Sequence, residues 1–304
     1  MFSSAFFLSI VAMQLSRLKA TSFRNFSQIE IEAAPKVNIF YGPNGSGKTN
    51  LLEAIFLVCL GRSQRGYNDS VLLKSGTETY RVEGTLKSGD RVHEAAVAYL
   101  KGGRKQFTLN GVKSRLPDLY DHFSAVAIGP EDSEILTGPP STRRLFLDLY
   151  ISQISRKYLE ELSRYNRILA QKNAALRNGL EFSAFNDLML NAGTAIMKGR
   201  VDFLKGLKKH SVDYYYRFSG GSSLAIKYAP TIFNETEWDE KMVETEFEKR
   251  LDANKEKEKI LKTAIIGPHR DEVEFSINDL PARTHGSQGE SRSIAIALKL
   301  AVYN

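Results

Sequence analysis

Residues Phe40–Asn50 read "FYGPNGSGKTN". From Gly42 to Thr49 the run fits G-x-x-x-x-G-K-[ST], the pattern of a phosphate-binding loop. Its glycines let backbone N–H groups turn inward around phosphate oxygens. A lysine at position 48 reaches the β- and γ-phosphates, and a hydroxyl at 49 serves Mg²⁺. The flanks suit the motif. "KVNIF" before it alternates like a strand, and "NLLEAIFLVCL" after it is a continuous apolar helix former. A helix opening at the loop would point its positive dipole end at the phosphates. Gly42, Pro43, Asn44, Gly45, Ser46, Gly47, Lys48, Thr49 and Asn50 are therefore the candidate nucleotide site, with ATP and Mg²⁺ as its expected ligands.

Composition narrows the class. The chain has 304 residues and 42% hydrophobic content, enough for one large domain or two lobes. No apolar run reaches the length of a membrane span. A single cysteine, Cys59, lies on the apolar helix after the loop, so a disulfide or cysteine–metal framework is excluded and a reducing cytoplasm fits. The first twelve residues, "MFSSAFFLSIVA", lack a basic n-region, and Met13 is the expected start. Net charge is +7 and the pI is near 9.3. Between Ser152 and Arg217 stand 12 Lys/Arg against 6 Asp/Glu; between Glu235 and Lys259 the balance is 6 against 10. A polyanion would be drawn to the first of these segments. Lys205, Lys208 and Lys209 are its candidate DNA contacts, and a solvated helical face is the alternative reading of the same charges.

Up to about residue 128 the chain reads mainly as strands around one helix. "QLSRLKA", "SQIEIE" and "KVNIFYG" precede the helix; "TYRVEGTL" and "VHEAAVAYL" follow it, joined by Ser88-Gly89-Asp90. "KQFTLNGVKS" carries Asn110-Gly111, a two-residue hairpin signal, and "AVAIG" is expected to close the region as a strand. After Gly138-Pro139-Pro140 the period becomes helical: Ile151, Ile154, Tyr158, Leu162, Tyr165, Ile168 and Leu169 recur, Gly179 breaks the run, and Phe185, Leu188, Met189, Ala192, Ala195 and Ile196 resume it. This predicts a helical hairpin over about 141–210. "LAIKYAP" predicts a strand, residues 239–262 a third helix, and "VEFSI" another strand. Ser287-Gln288-Gly289-Glu290 then opens a last helix, an anion site of the same physical kind as the first loop.

Several separated stretches together resemble one family: "LKATSFRNF", "GPNGSGKTNLLEAI", "GRSQR", "GPEDSEILTGPPSTRRLFLD", "IIGPHRD" and "GSQGESRS". From Met13 onward the chain resembles RecF, the bacterial recombination-repair ATPases. These are similar to the ATPase heads of structural-maintenance-of-chromosomes (SMC) proteins. The resemblance implies an α/β fold: an ABC-type P-loop head with a mixed sheet and antiparallel meander, plus an inserted helical lobe. It divides the chain into 13–137 (ATPase lobe), 138–262 (mainly helical lobe) and 263–304 (return to the head with a signature motif). Ser287, Gln288, Gly289 and Glu290 match the signature, which in this class meets the γ-phosphate held by a second subunit. Arg24 matches an arginine that contacts nucleotide, and Arg65 one that lies near nucleotide or DNA. Glu131 and Asp132 stand where many relatives carry a glutamine, and no role is assigned to them or to His269.

The implied function is ATP-dependent. Head dimerisation would clamp duplex DNA at gaps or stalled forks and, with RecO and RecR, help load RecA in DNA repair, replication and the SOS response. A transport-type ABC subunit and an architectural SMC-like head are the alternatives. Only about 240 residues separate the loop from the signature, too few for long coiled-coil arms. No apolar run ending in Asp-Glu follows, so the metal-holding Walker B segment is missing. The sequence is expected to be part of a longer ATPase and inactive in hydrolysis by itself.

Overall fold

A computed structural model describes residues 13–64, 68–232 and 238–304. The chain divides into two compact units, one ending at Ala127 and the other spanning Ile128–Asn304. The boundary falls at 127/128 rather than 137/138 because residues 130–137 pack on the helices of the second unit. The expected third segment, 263–304, also packs there: its strand pairs with "LAIKYA" and its last helix lies on the long helix of that unit.

The first unit contains β1 (Met13–Phe23), β2 (Phe26–Glu32), α1 (Lys48–Leu60), β3 (Thr79–Ser88), β4 (Arg91–Leu100), β5 (Gln106–Leu109), β6 (Val112–Ser114) and α2 (Leu116–Tyr120). The strands form one antiparallel sheet in the order β2-β1-β3-β4-β5-β6. Asn110-Gly111 joins β5 to β6, as the hairpin signal requires. One face of the sheet carries Leu18, Ala20, Val82, Leu86, Ala95 and Val97, and α1 supplies Ala54, Leu57, Val58 and Leu60 to the same core. Cys59 is buried in α1, and burial pushes its thiol up to about 12. Two expected strands are absent among the described residues. "KVNIF" and "AVAIG" join no ladder, and Val37 and Ile39 are 74% and 79% exposed. Alternation suits a segment to a sheet, but a strand also needs a neighbour to bond.

The second unit contains α3 (Glu134–Thr137), α4 (Pro140–Ile154), α5 (Arg156–Arg177), α6 (Ala184–Ser219), β7 (Leu224–Ala229), α7 (Glu240–Ala253), α8 (Lys255–Leu261), β8 (Glu272–Ile277), β9 (Leu280–Pro281), α9 (Ala282–His285) and α10 (Gln288–Tyr303). The expected hairpin is three helices. Ser155 adopts an extended backbone and caps α5 by accepting from the Tyr158 N–H. The 239–262 helix is likewise two, broken at Asn254. The α6 helix is 36 residues long and carries α10, α5 and α7 along its length. Met197, Ile232, Val243, Phe247, Leu251 and Ile266 form one apolar cluster.

Two of the stretches that carry the resemblance, "STRRLFLD" and "GPHRD", meet in a buried polar network. Arg200 of α6, 2% exposed, donates to Asp148 of α4 at 2.9 Å, to the Tyr158 hydroxyl of α5 at 3.3 Å and to the Pro268 carbonyl at 2.7 Å. It also lies 3.5 Å from Asp271. The Asp271 carboxylate accepts from the Tyr228 hydroxyl and, at 2.9 Å, from the Thr231 N–H. Arg143 grips Glu272 through two bonds of 2.5 and 2.6 Å, and Arg144 donates to the Asp271 carbonyl. Gly267 has φ of +127°, and a Cβ there would fall 2.4 Å from the Tyr165 hydroxyl. Only glycine fits.

His269 completes the network. Its Nε2 lies 3.1 Å from the Ala264 carbonyl, an acceptor only, so Nε2 carries the proton and Nδ1 accepts from Tyr165 at 2.6 Å. Burial, helped by the nearby Arg270 and Arg144 charges, lowers its pKa to about 4. The folded state therefore holds neutral His269, while the unfolded chain takes up a proton below about 6.5. This contribution is full above pH 6.5 and is lost as pH falls toward 4. Urea unfolding of wild type is expected to lose roughly 3 kcal/mol more than His269→Gln over that window. Parallel pH profiles for the two proteins would contradict the assignment.

Candidate nucleotide site and signature turn

In the first unit, the loop from Gly42 to Gly47 runs into α1, whose first residue is Lys48. Gly42, Gly45 and Gly47 all have positive φ, of 150°, 81° and 101°. A Cβ on Gly47 would lie 2.6 Å from the Phe26 ring, so Gly47 is required by both conformation and space. The N-cap of α1 is Gly47, which has no side chain to cap it, and no acidic residue occupies the first turn. Its leading N–H groups are thus left for an anion. The Lys48 ammonium donates to the Gly42 and Pro43 carbonyls at 2.8 and 2.7 Å, on the rim of the loop. Incoming phosphate oxygens would replace neutral carbonyls with charged acceptors, which bind an ammonium more strongly.

Pro43, Asn44, Gly45 and Ser46 are exposed, as is Thr49. Thr49 could give one hydroxyl oxygen to a Mg²⁺ whose other ligands come from phosphates and water. No group of three His, Cys, Asp or Glu side chains able to hold a metal occurs among the described residues. Asn50 has an internal partner in this structure. Its amide donates to Asn25 at 2.8 Å, fastening α1 to the β1–β2 turn.

Arg24 lies in that same turn. Its guanidinium grips Glu53 of α1 through bonds of 2.7 and 2.9 Å and donates to the Val71 carbonyl at 3.2 Å. Glu53 is 2% exposed and also accepts from the Ser63 hydroxyl at 2.5 Å. Arg24 thus braces α1 and the segment after it. The sequence reading missed Glu53, although a lone carboxylate inside "NLLEAIFLVCL" is the signal for a buried ion pair. Arg65 lies outside the described residues.

In the second unit, Ser287 caps α10. Its hydroxyl accepts from the Glu290 N–H at 3.2 Å, and the Glu290 carboxylate accepts from the Ser287 N–H at 2.8 Å. This is a capping box, and its bonds hold the Glu290 carboxyl below the usual range. Gln288 and Gly289 are exposed between these two residues. The Ser287 N–H therefore already has an internal partner, which a phosphate would have to displace, while the Ser287 hydroxyl accepts and keeps its proton to donate. Behind the turn, α10 carries the buried Lys299, which the sequence reading did not single out. Lys299 lies 3.1 Å from Asp132 and donates to the Tyr150 hydroxyl at 2.8 Å. Asp132 also accepts the Gly129 N–H at 2.8 Å, which gives it a structural role.

On α6, Lys205 and Lys209 are exposed one turn apart. Lys208 is half-buried, and burial pulls its pKa down. None of the three is ion-paired among the described residues, whereas Lys198 and Arg217 are held by Asp202 and Asp213.

Comparison with known proteins accounts for this combination. The family model for the RecF/RecN/SMC N-terminal domain matches residues 14–304. The DNA replication and repair protein RecF of Moorella thermoacetica is 36% identical over 297 residues, covering 95% of this chain and 78% of the relative. The chain belongs to the RecF family. RecF of Lysinibacillus sphaericus is 30% identical over 298 residues, 95% of this chain and 80% of that protein. Among solved structures, the recombination mediator RecF–ATP of the RecFOR pathway superposes with a TM-score of 0.92 at 30% identity, covering 98% of this chain and 82% of that one. An SMC head from Pyrococcus furiosus, at 15% identity and a TM-score of 0.52, shares the fold. The architecture is thus the SMC/RecF-type ABC ATPase head. No helix among the described residues is long and apolar enough to cross a membrane.

The capping box makes a direct prediction. Ser287→Ala is expected to lower the unfolding free energy by about 1 kcal/mol, and Ser287→Asp to restore most of it. Equal stability of Ser287→Ala and wild type in urea would show that Ser287 does not cap α10.

Proposed function

We propose that this RecF-family protein is an ATP-dependent DNA-binding protein of recombinational repair. ATP and Mg²⁺ are held by Gly42–Asn50, with Lys48 on the β- and γ-phosphates and Thr49 on the metal. Ser287–Glu290 of a second copy meets the same γ-phosphate, so nucleotide joins two protomers. The resulting homodimer clamps duplex DNA at gaps or stalled forks through Lys205, Lys208 and Lys209, with Arg65 as a further candidate. With RecO and RecR it assists the loading of RecA. Hydrolysis of the bound triphosphate would reset the clamp.

The observation that carries this reading is the open N-terminus of α1, with Lys48 resting on two loop carbonyls. The relatives support ATP binding and a role in repair: the superposed RecF carries ATP and belongs to the RecFOR pathway, and the curated ones are DNA replication and repair proteins. Contacts made to phosphates release counterions, so binding should be indifferent to sequence and steeply salt-dependent.

Anisotropy of labelled duplex DNA across a salt series tests both halves. Wild type is expected to bind more tightly with ATP. Lys48→Ala should bind equally with and without it. Reversing the charge at Lys205, Lys208 and Lys209 should weaken all duplex sequences alike and flatten the salt slope by about one per lysine. DNA binding indifferent to ATP would overturn the nucleotide-driven clamp, and an unchanged slope in the triple variant would overturn the DNA site.

A further inference from the structure

We infer that Lys299 is a positioning residue for the signature turn: it fixes the rotation and register of α10 by pinning that helix to the 129–133 turn and to α4. The inference rests on the proposed role of Ser287–Glu290 and deepens it.

The buried face of α10 is otherwise nearly featureless. It consists of Ser291, Ile294, Ala295, Ala297, Leu298 and Ala301. Small and aliphatic side chains of this kind pack in more than one rotation about the helix axis, because dispersion contacts have no direction. Lys299 interrupts that face at 5% exposure. An ammonium there is costly to desolvate and is kept only with well-placed partners. It has them: Asp132 at 3.1 Å, the Tyr150 hydroxyl at 2.8 Å, and the rings of Tyr150 and Phe146 with centroids at 5.0 and 5.8 Å. Each partner is held in turn. Asp132 is bonded to the Gly129 N–H, and Tyr150 and Phe146 project from α4 in an edge-to-face pair. Lys299 lies twelve positions after Ser287, roughly 18 Å along a rigid helix. A small rotation permitted at Lys299 is therefore carried to the Ser287 hydroxyl and to the N–H groups beside it.

Three variants separate positioning from simple stability. Lys299→Met keeps the volume and removes the charge, Lys299→Arg keeps the charge, and Asp132→Asn removes the partner charge. In Lys299→Met and Asp132→Asn, amide exchange at Gln288–Arg292 is expected to quicken, and ATP-driven self-association in sedimentation to weaken, each by about tenfold. Affinity for a fluorescent ATP analogue at Lys48 should stay as in wild type, and Lys299→Arg should restore association and exchange. A folded Lys299→Met protein with wild-type exchange and association overturns the inference. So does weakened association with unchanged exchange, since Lys299 would then act elsewhere. A wild-type protein that stays monomeric with ATP overturns the composite nucleotide site, and the exchange rates then decide the anchor alone. Ser287→Arg, expected to abolish association whatever happens at Lys299, distinguishes these two failures.

Discussion

A guanidinium with 2% of its surface exposed must have every donor satisfied, and Arg200 sets that requirement at the centre of the second unit. Its partners come from α4, from α5 and from the turn before β8. Meeting it forces the rest of the local layout. Pro268 must present its carbonyl, Gly267 must take a left-handed backbone against Tyr165, and Asp271 must gather donors from Tyr228 and Thr231. The "GPHRD" stretch is thus explained as architecture, with His269 as its neutral, doubly bonded member. On this frame lie α6, which bears the exposed lysines, and α10, which bears the signature turn.

The two anion-facing helix starts differ in preparation. The α1 terminus is uncapped, wrapped by glycines and braced from behind by the Arg24–Glu53 and Asn50–Asn25 contacts. The α10 terminus is closed by its own serine and glutamate. At α1 a ligand displaces only the two loop carbonyls from Lys48 and finds the helix N–H groups open, while at α10 it must also displace the carboxylate that caps the helix. This asymmetry suits a first contact made by the loop and a second made only when another protomer presents its turn.

Much of this was legible in the sequence because the signals are local. A glycine loop, an Asn-Gly turn, a β-branched alternation and a Ser-x-Gly-Glu turn each need only a few neighbouring residues. The phosphate loop, most of the strands and the start of α10 followed from them. Signals that depend on distant partners were unreadable. "KVNIF" alternates correctly yet joins no ladder, since pairing is a property of two segments. Ser155 is a local exception: its hydroxyl caps α5 by accepting from the nearby Tyr158 N–H, yet the apolar period runs on across it and hides the break. Arg24 is expected at the nucleotide from the resemblance alone, and its ion pair with Glu53, on a different element, is beyond any local pattern. Lys299 and Arg200 were invisible as buried charges, because their counter-charges lie far away in the chain, at Asp132, Asp148 and Asp271.

The central claim is that one nucleotide is held by two distant stretches of sequence belonging to different copies of the chain. Hydrogen exchange with ATP, followed across protein concentration, addresses it directly. Amides of Gly42–Asn50 should be protected by ATP at every concentration, and amides of Ser287–Ser291 only as protomers associate. Protection of both stretches in the dilute monomer, or no protection of Ser287–Ser291 at any concentration, would contradict it.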